Sequence, residues 1–348
     1  MKQLPGLDVG VDVGIDLGTS TVKICVPERG VVLNEPAIVA VDKDTDSIVA
    51  IGSDAYRMLG RTSDRIAAVY PLHDGVISDY ELTEAMLTTF VKLVCGSKML
   101  MPRVVVCVPI GITEVERRAV VDALRAAGAR KVCLVEEAIA AALGAGLDIA
   151  QPYGSLICDI GGGTTDIGVI TLNGLAVKKS IKVAGNSFDA AIEKYIRKNH
   201  NLIIGPRTAE DIKKEIGCVF MRDRLMTGIV RGRDGRNGMP RQIEVTSDEM
   251  LEALEEPSIY ICRAVQSVLE ETPPELVGDL YERGMVLTGG SAMLYGMDKL
   301  LAKKTRLSVV VAHDPQACVV LGTGEAIGYI DAQTDVEFAT SPLDIYSY

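Results

Sequence analysis

Acids, glycines and hydroxyl side chains recur at the mouths of apolar runs in this chain. In Gly154-Ser-Leu-Ile-Cys-Asp159-Ile-Gly161-Gly162-Gly163-Thr164-Thr165-Asp166-Ile-Gly168-Val-Ile170 an apolar run ends in an acid, three glycines and two threonines follow, and a second apolar run begins. The pattern predicts strand, tight turn, strand. Consecutive glycines let backbone N–H groups approach a ligand, and inward-pointing N–H groups form a nest for an anion such as phosphate. Asp159, at the end of the first strand, is placed to hold a hydrated Mg²⁺, which keeps several waters and takes one or two carboxylates. A glycine-rich hairpin that binds nothing has the same composition, so this stretch alone leaves both readings open.

The pattern occurs twice. Val11-Asp-Val-Gly-Ile15-Asp16-Leu17-Gly18-Thr19-Ser20-Thr21-Val-Lys23-Ile-Cys-Val26 again runs strand, acid, glycine with hydroxyls, strand, and Asp16 precedes Asp159 by 143 residues. Two acid-tipped hairpins suggest two similar half-molecules whose turns face each other across a cleft and hold a polyphosphate from both sides. A third backbone approach comes at Gly284-Met-Val-Leu-Thr288-Gly289-Gly290-Ser291, a strand running into a Gly-rich helix start suited to a nucleotide's sugar, base or phosphate, or simply a strand-to-helix turn. Glu136 and Glu137 sit where the strand Lys131–Val135 meets an Ala-rich helix over 138–146. They either orient a water or complement the helix dipole.

The elements that must position these groups are legible from period and punctuation. Residues 31–70 hold short β-type runs and a short helix near Ala55–Leu59, a small insertion. Apolar residues at Leu82, Met86, Phe90, Leu93 and Val94 predict a helix over 79–94. Thr113 and Glu116 are spaced as a capping box for a helix over 114–127, and Thr208 with Asp211 repeats that spacing before 209–216. A strand is expected over 177–183, a helix over 188–198 capped by 184–187, a hairpin tip at 231–238 and a long helix over 248–270 kinked at Pro257. Gly322, Gly324 and Gly328 miss the dinucleotide fingerprint and read as close helix packing. Met99, Leu100 and Met101 stand in a connection that should be exposed, so they either tuck beneath the core or dip into a membrane.

Composition narrows the function classes. The 348 residues are 48% hydrophobic and 24% charged, enough for a globular protein of two domains with a sizeable core. Eight singly placed cysteines and three histidines give no zinc-site spacing, and reduced, buried thiols are expected. A net charge of −11, four Phe and no Trp disfavour a nucleic-acid partner. With no signal-like apolar start and no uncharged run of membrane length, a cytoplasmic location is expected.

Asp16-Leu-Gly-Thr, Asp159-Ile-Gly-Gly-Gly-Thr-Thr-Asp166 and Leu287-Thr-Gly-Gly-Ser291, in this order and spacing, resemble the two phosphate motifs and the adenosine motif of the actin, sugar-kinase and heat-shock ATPase superfamily. Within it, Val32-Leu-Asn-Glu-Pro36, Asp74-Gly-Val-Ile77, Pro109-x-Gly-Ile-Thr-Glu-Val-Glu-Arg-Arg118, Tyr195-Ile-Arg-Lys198, Arg207-Thr-Ala-Glu210 and Thr272-Pro-Pro-Glu-Leu276 resemble the MreB family of bacterial actins, from about residue 12 to 330. The resemblance implies an α/β actin-like ATPase fold: two ribonuclease-H-like halves with duplicated phosphate hairpins around a nucleotide cleft, each half with a small inserted subdomain. The implied subdomains are IA (1–37, 72–151 and 318–348), IB (38–71), IIA (152–187 and 250–317) and IIB (188–249).

The same resemblance implies ATP and Mg²⁺ as cofactors and slow ATP hydrolysis coupled to filament assembly. Asp16 and Asp159 would hold the metal. Gly18, Thr19 and Ser20 with Gly161, Gly162, Gly163 and Thr164 would hold the phosphates, and Gly289, Gly290 and Ser291 with Glu210 and Lys213 the adenosine. Glu137 and Thr164 would position the attacking water. Implied partners are further copies of the chain, the inner face of the cytoplasmic membrane and membrane-embedded cell-wall elongation proteins, in the service of rod cell shape; another bacterial actin filament, for plasmid segregation or magnetosome alignment, is the alternative. Pro5 and Gly6 disfavour an N-terminal amphipathic helix, so Met99, Leu100 and Met101 are the expected membrane loop. Four features depart from the family pattern: Ala138 stands for the usual Pro, Asp166 and Gly168 for Glu and Ala, and Ser291, which needs a negative φ, for a third glycine. The tail Phe338–Tyr348 has no counterpart in it.

Overall fold

The computed structural model describes residues 12–96, 102–332 and 346–347. The chain opens with the first predicted hairpin, β1 (Val13–Leu17) and β2 (Thr21–Val26), followed by β3 (Gly30–Pro36) antiparallel to β2. A small excursion comes next: β4 (Val39–Asp42), β5 (Ser47–Ile51), α1 (Ser53–Met58) and β6 (Ile66–Val69) form a three-stranded lobe of order β5-β4-β6. A short ladder, β7 (Leu72–His73) and β8 (Val76–Ile77), leads into α2 (Tyr80–Cys95). Then β9 (Arg103–Val108), α3 (Glu114–Ala126) and β10 (Lys131–Glu136) add two strands parallel to β1, giving the order β10-β9-β1-β2-β3. Val104–Val108 is apolar throughout because helices cover both faces of this parallel region and every one of those residues is buried.

After α4 (Glu137–Gly144) the plan repeats. β11 (Ser155–Ile160) and β12 (Thr165–Thr171) form the second predicted hairpin, and β13 (Gly174–Ile181) lies antiparallel to β12. A second excursion holds α5 (Gly185–His200), β14 (Leu202–Ile203), α6 (Pro206–Ile216), β15 (Thr227–Asp234) and β16 (Pro240–Thr246), with sheet order β14-β15-β16. After α7 (Ser247–Ala253), α8 (Glu255–Glu271) and α9 (Pro274–Arg283), β17 (Met285–Thr288) returns parallel to β11; α10 (Met297–Thr305) and β18 (Val309–Val311) complete the order β13-β12-β11-β17-β18. Each half is therefore a hairpin, a third antiparallel strand outside it, and two parallel strands added on the other side.

The halves are joined by α4 and α11 (Cys318–Ala332), which cross at very close range. A Cβ on Gly322 would stand 1.8 Å from the carbonyl oxygen of Ala140, and one on Gly144 1.8 Å from that of Cys318. Of the three glycines read as helix packing, only Gly322 serves it, and the alanines of α4 are small for the same reason; a Cβ on Gly324 would instead stand 2.7 Å from Cys25 Sγ of β2, and one on Gly328 would meet nothing within 4 Å. Val105, Cys107, Ile139 and Ile157 form the apolar layer around this crossing, separate from the larger core of each half.

Four local expectations are corrected. Thr208 does not cap its helix: α6 starts at Pro206 with Gly205 as N-cap, because proline's fixed φ and missing N–H suit the first helical position. The expected long helix is two, α7 and α8, parted at Leu254; Pro257 has no N–H to offer the carbonyl four residues back, so the ladder cannot run through. α4 begins at Glu137 rather than Ala138, and the strand expected over 177–183 spans Gly174–Ile181. The Thr113–Glu116 capping box forms as expected. At the chain end β19 (Tyr346–Ser347) pairs antiparallel with the outer edge of β10, opposite Leu134 and Cys133.

Candidate active site

The two hairpin turns are alike at the level of single bonds. Gly18 N–H donates to the Thr21 carbonyl at 3.1 Å, and Gly161 N–H donates to the Thr164 carbonyl at 2.9 Å. They also face each other closely. A Cβ on Gly162 would lie 2.1 Å from Ser20 Oγ, and one on Gly163 2.5 Å from Thr19 Oγ1. These two glycines are thus required by the opposing hairpin itself. Ser20 Oγ donates to Asn186 Oδ1 at 3.3 Å, and Gly75 N–H donates to Thr19 Oγ1 at 2.9 Å, fastening the first turn from both sides.

Hairpin register decides what stands opposite each acid. In both hairpins the acid is paired with the residue seven positions on, so Asp16 faces Lys23 and Asp159 faces Asp166. Lys23 Nζ donates to Asp16 Oδ2 at 2.9 Å; burial works against the ammonium, but the Asp16 charge and hydrogen bond outweigh it and raise its pKa. Lys23 is a site residue that motif reading passed over, although counting seven from Asp16 would have found it. The second hairpin instead sets two carboxylates opposite each other, an arrangement that costs stability in a sheet. Asp166 Oδ1 accepts the Ile110 N–H at 2.8 Å from the other half, while Asp166 Oδ2 and Asp159 Oδ1 are buried with no hydrogen-bond partner.

Glu137, 7% exposed at the start of α4, completes a buried acid cluster with Asp16, Asp159 and Asp166. Burial, then the charges of Asp166, Asp159 and Asp16, push the Glu137 carboxyl well up. Burial with the charges of Asp166 and Asp16 pushes Asp159 up to about 7, and burial pushes Asp166 up to about 6. Cys107 Sγ contacts Asp16 Oδ1 at 3.6 Å, its thiol held well up by burial and by that carboxylate. Thr164, 6% exposed, lies at the turn between Asp159 and Asp166, its methyl facing Gly75. The cluster is short of positive charge, and two of its oxygens are short of donors.

The third motif closes on the second. Gly289 has φ 85°, and a Cβ there would stand 2.3 Å from the Ile160 carbonyl oxygen, so glycine is required. Ser291 is free of the positive φ that would have strained it, and its Oγ donates to the Gly161 carbonyl at 2.8 Å. Lys213 Nζ pairs with Asp189 at 2.8 Å and donates to the Gly185 carbonyl at 3.0 Å, while Gly185 N–H donates to the Gly161 carbonyl at 3.1 Å. Residues 161, 185, 213 and 291 are thereby one connected wall. Glu210 stands apart from that network, bonded to Lys214 and Tyr56. Met99, Leu100 and Met101 lie outside the described residues.

The family model for the MreB/Mbl protein matches residues 10–335. The chain belongs to the MreB/Mbl family. It is 49% identical over 320 residues to the cell shape-determining protein MreB of Escherichia coli, covering 90% of this chain and 92% of that one. The crystal structure of MreB5 of Spiroplasma citri bound to ADP superposes with a TM-score of 0.90 at 39% identity, over 94% of this chain and 98% of that one. The MamK double helical filament matches with a TM-score of 0.78 at 21% identity, over 91% and 98% of the two chains, a likeness of fold. The duplicated halves are those of the actin-like fold, and the general function of this MreB/Mbl chain is that of a bacterial actin filament protein.

Proposed function

We propose that this chain binds ATP with Mg²⁺ between its two hairpins, hydrolyses it slowly, and polymerises into filaments at the inner face of the cytoplasmic membrane, where they organise cell-wall elongation proteins and maintain rod shape. One observation carries the reading: two hairpin turns with the same internal hydrogen bond face each other over a buried cluster of four acids in which Lys23 pairs with Asp16 and two oxygens, Asp159 Oδ1 and Asp166 Oδ2, have no hydrogen-bond partner. The S. citri relative whose fold this chain shares is an ADP complex, which supports a nucleotide in the same cleft.

The residues fit the cation. Asp159 Oδ1 is a buried carboxylate oxygen without a hydrogen-bond partner, and Asp16 of the other hairpin is near enough for its charge to act on that carboxyl. Two carboxylates suit an ion that keeps most of its waters. Bound there, Mg²⁺ supplies charge neutralisation to the phosphates. The chain does the rest by position. The turns 18–20 and 161–164 hold the phosphates, Gly18 and Gly161 by closing each turn with their own N–H groups and the following residues by turning theirs to the ligand, while 289–291 with Lys213, and Glu210 from outside that wall, take the adenosine. Glu137 and Thr164 orient a water in line with the terminal phosphorus. As the water oxygen bonds to phosphorus and the bond to the leaving ADP oxygen breaks, Glu137 accepts the water's proton. It accepts only as a carboxylate, the form its burial disfavours. ATP-dependent light scattering followed by electron microscopy tests filament formation. Phosphate release from Glu137→Ala under polymerising conditions tests the chemistry, and an undiminished rate removes Glu137 from its role.

Met99, Leu100 and Met101 form the membrane contact in this reading. No helix among the described residues is long and apolar enough to cross a membrane. Three such side chains contribute very roughly 1.5–3 kcal/mol each, so one subunit binds weakly and a filament sums many weak contacts. Leu100→Ser is expected to reduce pelleting with liposomes in ATP; equal pelleting would remove the loop from this role.

A further inference from the structure

The two small lobes inserted into the halves are held to each other by a contact that the proposed chemistry does not use. Tyr56 lies on α1 of the first lobe and Glu210 on α6 of the second, 154 residues away in sequence. Tyr56 Oη donates to Glu210 Oε2 at 2.9 Å. Arg207, one turn earlier on α6, places its guanidinium 5.4 Å from the centre of the same ring. Glu210 Oε1 takes Lys214 Nζ at 2.6 Å, so the carboxylate is held from its own helix on one side and from the opposite lobe on the other. Other bonds between the halves among the described residues include Ile110 N–H to Asp166, Lys178 to Glu136 at 2.7 Å, Lys182 to Asp74 at 3.9 Å and Ser20 to Asn186; none of them involves the first lobe, and together they mark the cleft floor.

We propose that Tyr56 is a bolt across the mouth of the cleft, and that its hydroxyl on Glu210 sets how readily the lobes part and how fast a bound nucleotide leaves. The inference rests on the ATP reading of the cleft for its second half only. Opening by rotation about the floor separates the lobes most where they are farthest from it, so a bond between the lobes resists opening with leverage that the floor contacts lack. A phenol donating to a carboxylate makes a charge-assisted hydrogen bond, stronger than a neutral pair. Burial and the Glu210 charge raise the phenol's pKa, so it remains a donor over the physiological range. Each carboxylate oxygen has a second lone pair, so Glu210 can accept a ribose hydroxyl while the bolt is shut.

Tyr56→Phe removes one oxygen and keeps the ring under Arg207. In the nucleotide-free chain, hydrogen exchange read by mass spectrometry is expected to speed up over both 53–58 and 206–216, since the bond restrains both helices. Release of etheno-ATP chased by excess ATP, measured by stopped-flow at concentrations too low for assembly, is expected to be about tenfold faster, the loss of one charge-assisted hydrogen bond. Exchange unchanged over 206–216 would overturn the bolt. Faster exchange in both segments with an unchanged release rate would overturn its control of nucleotide exit. If exchange speeds up in both and the wild-type chain takes up no etheno-ATP, the bolt stands and the ATP reading falls.

Discussion

Asp159→Asn is expected to stabilise the nucleotide-free protein at alkaline pH and to leave it nearly unchanged in acid. Burial, with the charges of Asp166 and Asp16, carries this carboxyl from 3.8 to about 7. The folded state therefore keeps a proton over a range where the unfolded chain has lost it, and stability falls as pH rises from about 4 through about 7, the loss being complete by about pH 8. At about 1.4 kcal/mol per pH unit, the whole displacement corresponds to on the order of 4 kcal/mol, of which roughly 2–3 kcal/mol is lost between pH 5 and 8. Asparagine has the same shape and no charge, so its variant escapes that loss. Thermal unfolding of both proteins, without nucleotide or divalent cation, at intervals from pH 5 to 8 reads the difference directly. At about 2–4 °C per kcal/mol, the wild-type midpoint should fall by about 5–10 °C more than the variant's. Parallel profiles for the two proteins would refute the argument that Asp159 is an unsatisfied acid waiting for positive charge. Added Mg²⁺ and ATP should raise the wild-type midpoint at pH 8 and raise the variant's by less.

Gly322→Ala brings a methyl to 1.8 Å from the Ala140 carbonyl oxygen, a backbone atom in a buried helix that cannot turn aside. A loss of about 3 kcal/mol is expected in urea unfolding, at the upper end of over-packing costs, and a midpoint equal to wild type would mean the helices part freely. Lys23→Met leaves Asp16 buried without its partner, and a loss of about 3 kcal/mol is expected in urea unfolding at pH 8. A midpoint equal to wild type would show that the buried pair contributes nothing to stability. Ser291→Gly removes the hydroxyl donated to Gly161, and a drop of about 1 kcal/mol is expected; a gain would show that glycine, as in the family pattern, is the better residue there.

Both hairpins, their acids and the glycines between them were legible because antiparallel pairing is local: a strand, a turn of fixed chemistry and a second strand name their own register. The Thr113 cap was legible for the same reason. Thr208 misled because the spacing of a capping box says nothing of a proline that starts the helix two residues earlier. Lys23 was legible in principle, since the register that faces Asp159 with Asp166 also faces Asp16 with a lysine.

What sequence alone determined, then, was the set of turns and the side chains they carry, because their geometry is fixed within a dozen residues. It could not determine that Gly162 and Gly163 lie against Ser20 and Thr19, that Ser291 reaches back to Gly161, or that Tyr56 meets Glu210. Those contacts join segments more than a hundred residues apart: Ser291 reaches Gly161 because β17 lies beside β11 in one sheet, and the other contacts form because α4 and α11 cross closely enough to set one half against the other. The same crossing buries Glu137 near Asp159 and Asp166, and with it sets up the electrostatic cost that a cation in the proposed site would relieve.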